Sequence, residues 1–292
     1  HSITLDGSED MQPDFVWIKG RGSSEYDHQL YDAPRTATKV IAANNTGAEA
    51  TESTGLTSFD SDGFTVGTHA RINSSSDNKV SWCWKGGTTS GITTNGSTTI
   101  TPSSYSFSAT AGIAILKYTG NSTAGAKLAH GLGGCDAFLI KRTAASGDDW
   151  RTYNRGLGGT KNIKLNSADA SATGTNIFND TDPDSVNITL GSHNSANASD
   201  AMICYAFKSI QGFSKMGTYV GNGSTDGPYI HCGFRPAFIL GKNATQNSQH
   251  WFMVDNKRSP YNGDSRWLKA DGSDAELTNL VNPDFLSNGF KI

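Results

Sequence analysis

Apolar and polar positions alternate in short runs along this chain, and one run is written three times. Asp14-Phe15-Val16-Trp17-Ile18-Lys19 returns as Ala137-Phe138-Leu139-Ile140-Lys141 and again as Ala237-Phe238-Ile239-Leu240-Gly241-Lys242. Each copy closes in a lysine and is followed by a polar loop and then an aromatic-rich run. A self-similarity of this length predicts a repeat architecture. With Phe15, Phe138 and Phe238 set in register, Phe15 to Lys85 and Phe138 to Lys208 both span 70 residues.

Inside that frame the landmarks recur. His28-Gln29-Leu30-Tyr31-Asp32, Trp150-Arg151-Thr152-Tyr153-Asn154 and Trp251-Phe252-Met253-Val254-Asp255 each read as a strand ending in a turn-forming Asp or Asn. Arg35, Arg155 and Arg258 sit just beyond, placed to fix the turn. Asp60-Ser61-Asp62-Gly63, Asp182-Pro183-Asp184-Ser185 and Leu286-Ser287-Asn288-Gly289 are tight turns feeding a further strand. Val80-Ser81-Trp82-Cys83-Trp84-Lys85 and Ala201-Met202-Ile203-Cys204-Tyr205-Ala206-Phe207-Lys208 are apolar on both faces, which predicts central strands packed on two sides.

The joints repeat as well: the stretch from Gly112 to Asn121 matches that from Gly212 to Asn222 with one residue inserted. Between Lys85 and Gly112 lie 23 extra residues, read either as an extra hairpin of Thr98–Thr101 with Tyr105–Ser108 or as a spacer. The expected organisation is all-β, with tandem antiparallel β-sandwiches in about two and a half repeats: 1–111, 112–211 and 212–292. The third copy stops short of a closing Trp/Tyr strand, which is expected either of a fragment of a longer array or of a unit that borrows that strand.

Composition narrows the classes. Only 17% of the 292 residues are charged, and the net charge of −3 offers no basic field for nucleic acid or an anionic membrane. No apolar run approaches the ~20 residues of a membrane span. The four cysteines, Cys83, Cys135, Cys204 and Cys232, fall at unmatched positions without a CxxC pair and read as free thiols.

Candidate chemistry is sparse. Asp180, Asp182 and Asp184 have the alternate spacing of a calcium loop but lack its glycine and distal glutamate, so no metal is expected. No GxSxG, HExxH or phosphate-binding glycine loop occurs. His69 and His193 recur in the repeat and read as turn residues. Trp150 and Trp251 share a repeat position, with His28 as the odd one out. Each stands a few residues before Asn154, Asp255 or Asp32. An exposed ring beside Asp or Asn suits a sugar, whose apolar face stacks while its hydroxyls take hydrogen bonds; the competing reading closes a sandwich core with the same rings. Otherwise function is expected in the unlike loops 20–27, 143–149 and 243–250.

The passage from Gly221 to Leu240, with Gly233-Phe234-Arg235-Pro236-Ala237-Phe238, and its continuation from Trp251 to Arg258 resemble repeated modules in virion proteins of marine tailed bacteriophages. Those modules are similar to concanavalin A/laminin-G-type sandwiches. The resemblance implies a non-enzymatic tail-fibre, tail-tip or capsid-decoration part on the outside of the particle, without a cofactor. It also implies other virion proteins as partners, a homotrimer, and host-surface glycans as ligand class. A secreted carbohydrate-binding module or a glycan-degrading enzyme is the competing class.

Overall fold

The structure is a computed structural model that describes residues 1–22, 26–75, 77–263, 266–278 and 283–292. It is almost entirely antiparallel β. The first strand group comprises β1 (Ser2–Ile3), β2 (Phe15–Gly20), β3 (Gln29–Asp32), β4 (Lys39–Ala42), β5 (Ala50–Thr51), β6 (Leu56–Asp60), β7 (Gly63–Val66) and β8 (Lys79–Trp84). The second comprises β9 (Ser104–Ser108), β10 (Ile113–Thr119), β11 (Ala126–Ala129), β12 (Ala137–Arg142), β13 (Arg151–Asn154), β14 (Lys161–Lys164), β15 (Ala172–Thr173), β16 (Asn187–Leu190) and β17 (Ala201–Phe207). The third comprises β18 (Tyr229–His231), β19 (Phe238–Gly241), β20 (Phe252–Asp255), β21 (Leu268–Lys269), β22 (Asp284–Leu286) and β23 (Gly289–Lys291). Three one-turn helices, α1 (Ala70–Asn73), α2 (Thr175–Phe178) and α3 (Asn194–Asn197), lie among the described residues of the loops.

Each group sets two sheets against each other, a larger against a smaller in the first two groups and three strands against three in the third. The larger sheets and their third-group equivalent run β5-β4-β3-β2-β8, β15-β14-β13-β12-β17-β10-β9 and β19-β20-β21; the facing ones are β1-β7-β6, β11-β16 and β18-β23-β22. The tight turn into β7 needs its glycine: Gly63 has φ +109°, and a Cβ there would stand 1.9 Å from the Ile3 carbonyl oxygen.

Period-2 alternation on the larger sheets buries both faces. Val16, Ile18, Tyr31 and Val40 turn inward against Leu56, Phe64 and Val66 of the first smaller sheet. Phe138, Ile140 and Tyr153 do the same against Leu128, Ile188 and Leu190 in the second group. Ile239 and Val254 meet Phe285 in the third. The opposite faces of the three sheets that carry β2, β12 and β19 meet in one shared core of Phe15, Trp17, Leu30, Trp82, Leu139, Trp150, Tyr205, Trp251 and Met253, among others. One body therefore has a private core in each group and a common core where the groups converge.

The ladders correct the sequence register. Phe15 pairs with Asp32, Ala137 with Asn154 and Phe238 with Asp255, so Phe15 is matched by Ala137 and not by Phe138. Phe138 holds the position of Val16 and Ile239 and points into its own sandwich. A slip of one residue moves every side chain to the other face, and the equal spacing of 70 concealed one. The closing lysines, Lys19, Lys141 and Lys242, are the sound markers. The extra segment 86–111 also finds a place of its own. Its strand β9 pairs with β10 on the edge of the second group's sheet, while Ile100 bridges in parallel to Leu128, so Thr98–Thr101 and Tyr105–Ser108 form no hairpin with each other.

Candidate functional site: the convergence of the three strand groups

The residues singled out for ligand chemistry meet at the shared core. Trp150 and His28 have no solvent exposure, and Trp251 retains 6%. Each spends the polar atom of its ring on the same carbonyl of a neighbouring group. Trp150 Nε1 donates to the Ala42 oxygen at 2.9 Å, and Trp251 Nε1 to the Lys164 oxygen at 2.8 Å. His28 Nε2 lies 2.9 Å from the Lys269 oxygen. Ala42, Lys164 and Lys269 occupy one position in three hairpins, opposite Gln29, Arg151 and Phe252. The second group thus bonds to the first, the third to the second and the first to the third, closing a ring.

His28 fills a tryptophan's place by tautomer choice. Trp17 Nε1 donates to His28 Nδ1 at 2.8 Å, so the ring proton sits on Nε2, where it reaches Lys269. Burial, and after it the charge of Lys19, pushes the His28 pKa down to about 3.

The closing lysines repeat the ring a second time. Lys19 Nζ donates to the Ser273 oxygen at 3.1 Å, Lys141 Nζ to Thr46 at 3.2 Å and Lys242 Nζ to Ala168 at 3.1 Å. Burial holds Lys19 and Lys141 at about 8 and lowers Lys242 as well. Backbone bonds make a third ring: Glu49 N to Thr143 O at 2.9 Å, Ser171 N to Ala244 O at 2.9 Å and Glu276 N to Arg21 O at 2.7 Å. The unlike loops expected to carry function are therefore the clasps between groups. Residues 23–25 of the loop 20–27 lie outside the described residues.

The turn acids divide two ways. Asp32 and Asp255 are buried, and each takes the guanidinium three residues on, Arg35 at 2.6 Å and Arg258 at 2.7 Å. Those arginines also donate to Leu30 O and Met253 O, which fixes the turn as expected. Each acid accepts one bond from another group's closing strand: Tyr205 Oη to Asp32 at 2.6 Å, and Trp82 Nε1 to Asp255 at 3.2 Å. Burial opposes the charge of Arg35, and the Asp32 carboxylate outweighs it, so the arginine pKa lies above its ordinary range. In the second group Asn154 accepts from Gly156 N at 2.9 Å instead, and Arg155 turns to Asp136 at 2.8 Å.

The acidic triplet is structural too. Asp184 Oδ1 accepts from Val186 N and Asn187 N, both at 2.7 Å, and Asp182 Oδ1 accepts from Tyr153 Oη and Gly159 N. Asp180 stands in the left-handed region at φ +49°. Among the described residues no group of three or more His, Cys, Asp or Glu could hold a metal ion. His193 caps α3 by accepting from Ser195 N, and all four cysteines are free thiols.

The exposed aromatic faces that a stacked sugar requires are thus absent at Trp150 and Trp251, because both rings are enclosed by the neighbouring group. Sequence reasoning missed Tyr205, Trp82 and the lysines as partners across groups. The lysine closing every copy was the readable signal. A shallow depression lined by Arg21, Gly22, Asp77, Asn78, Arg266 and Glu276 lies where the first and third groups meet, bridged by the Arg21–Glu276 ion pair at 2.7 Å. The family described as Domain of unknown function (DUF7483) matches residues 2–292. No curated protein and no solved structure matches the chain.

Proposed function

The chain belongs to that family, and we propose that it is a non-catalytic structural part of a tailed-bacteriophage virion. In this reading it stands in a tail fibre, tail tip or capsid decoration on the outside of the particle and docks to other virion proteins. One observation carries the reading: His28, Asp32, Trp150, Trp251 and Asp255 are all buried in bonds between strand groups. Side chains with ligand chemistry that are spent on joining three sandwiches suit a rigid spacer or decoration better than a cleft. A host-surface glycan would meet the outer loops and strand edges rather than the enclosed rings.

The homotrimer is part of the proposal through the family resemblance alone, because the apolar faces that suggested it are largely covered within one chain. Proteomics of purified particles together with immunogold labelling tests the virion role: stoichiometric copies and external labelling are expected, and absence from the particle overturns it. Light scattering reads the trimer. Incubation with bacterial surface polysaccharides separates the competing class, since release of new reducing ends would make the chain an enzyme.

A further inference from the structure

The three joints of the ring share a plan and differ in what holds them. Between the first and second groups, and between the second and third, the ring bond comes from an indole, Trp150 to Ala42 and Trp251 to Lys164. An indole only donates and has no proton to gain. Between the first and third groups the bond comes from an imidazole. His28 Nδ1 accepts from Trp17 Nε1 at 2.8 Å while Nε2 reaches the Lys269 oxygen at 2.9 Å, so both nitrogens are committed and only the neutral ring fits. A proton added at Nδ1 would set two N–H donors against each other inside a fully buried contact. The charges that bear on the ring are cationic, Lys19 on β2 and Arg258 beyond β20. The Lys269 ammonium turns to Asp274, and the Asp27 carboxylate is held by Asn44 and Asn45.

The same joint carries the charge. Among the described residues the ion pairs that join groups are Arg21–Glu276 and Lys257–Asp6, both at 2.7 Å and both between the first and third groups. The second lies in open solvent and contributes little. The first is enclosed at Glu276, whose side chain is 7% exposed and also takes Arg258 at 2.9 Å and Arg266 at 3.4 Å. Burial opposes the charge of Glu276, and the bonds from Arg21 and Arg258 outweigh it, so its pKa lies below the ordinary 4.5. The stability it gives is present above that value and is lost as pH falls through the folded pKa, the same direction as for neutral His28. The joint also has no covalent tether. The first and second groups are consecutive in the chain, as are the second and third, whereas the first and third meet by contact alone. Each group has a private core to keep when that contact parts.

We propose that the ring has one opening joint, between the first and third groups, which acid parts while the other two joints and the private cores stay closed. Opening uncovers the contact of Phe238 with Trp82 and Trp84, now 5.6 and 6.0 Å between ring centres, and lifts the Arg258 guanidinium from the face of Trp82. A closed ring becomes an arc with bared apolar surface, a two-state element biased by protonation.

Each joint holds one backbone bond that reports on it. Glu276 N to Arg21 O marks the first and third groups, Glu49 N to Thr143 O the first and second, and Ser171 N to Ala244 O the second and third. Amide exchange of the 292-residue chain, resolved by NMR and corrected for the intrinsic pH dependence, is compared at pH 7 and pH 4. Protection of the Glu276 amide is expected to fall at least about tenfold more than that of the other two. Far-UV circular dichroism should hold while the radius of gyration from X-ray scattering rises. His28→Gln, which offers an acceptor and a donor without titrating, should reduce the acid response of the Glu276 amide severalfold. Arg21→Gln, which keeps the Arg21 carbonyl but removes the ion pair, should loosen the Glu276 amide already at pH 7 and leave the other two unchanged. A common fall of all three amides, an earlier fall at Glu49 or Ser171, or full protection of Glu276 down to pH 4 overturns the proposal. So does an acid response that neither variant alters.

Discussion

The first and third strand groups are written in the same local code and end in different states. Both have a two-stranded core hairpin, a closing lysine that reaches a neighbouring carbonyl, and an acid that holds the arginine three residues on. In the first group the hairpin is flanked by β8, and Trp17, Leu30 and Trp82 are buried. In the third, among the described residues, the hairpin strand β19 pairs on its β20 side only, and Phe213, Tyr219, Val220, Tyr229 and Tyr261 face solvent. Hairpin and turn are local products of a few residues. Burial of an edge depends on a strand that must arrive from elsewhere, so identical local chemistry does not guarantee an identical environment.

That comparison is most exposed to attack at its best-buried ring. Trp150→Ala removes a fully buried indole that stacks near Tyr205 and bonds Ala42, and should cost about 3–5 kcal/mol in urea unfolding. Phe213→Ala, on the open group, should stay within about 0.5 kcal/mol. Equal losses would break the distinction between the two regions. Next in size are the turn acids. Asp32→Ala leaves the buried Arg35 with Glu49 at 3.3 Å as its remaining carboxylate and should cost about 3 kcal/mol or more. Asp255→Ala should cost less, because Arg258 keeps Glu276 at 2.9 Å.

A third test concerns the one ring position that is not tryptophan. The folded pKa of His28, about 3, lies below the ordinary 6.5, so the unfolded chain binds the proton first as the solution is acidified. Stability attributable to neutral His28 is present above about pH 6.5 and is lost as pH falls toward 3, on the order of 2 kcal/mol by pH 4.5. His28→Trp, the residue in the equivalent places, should flatten the acid limb relative to wild type in denaturant titrations. The last test concerns the lysines. Lys141 titrates at about 8 when folded and near 10.5 when unfolded, so the unfolded state holds more protons between those values and stability rises with pH across that window. Lys141→Met should remove that rise, read as the difference between two stability–pH curves. The same substitution at Lys242 should change the slope in the same direction.

Much of the fold was legible. Short alternating runs bounded by Asp, Asn and Gly turns announce antiparallel strands, and the threefold return of an apolar run closed by lysine announces related groups. The register between groups was not legible, because Phe138 and Phe15 are both large and apolar and a period-2 pattern reads equally well when shifted by one. The candidate site shows the same boundary. Trp150, Trp251 and His28 were rightly taken as one position. Their enclosure could not be read, since the carbonyls that receive them, Ala42, Lys164 and Lys269, belong to other groups and backbone oxygens leave no signature in a sequence.

By itself the sequence determined the antiparallel strands, the turn acids with their arginines and the recurrence of the lysine. These depend on contacts within a few residues or on a period that every copy repeats. The tertiary structure alone decided which face of each strand turns to the private core and which to the shared one. It also decided that aromatic rings and lysines close a ring of bonds from group to group. The ring bonds of the aromatic residues and lysines join residues 74 to 254 positions apart, where closure of the whole ring fixes the geometry and no local pattern can.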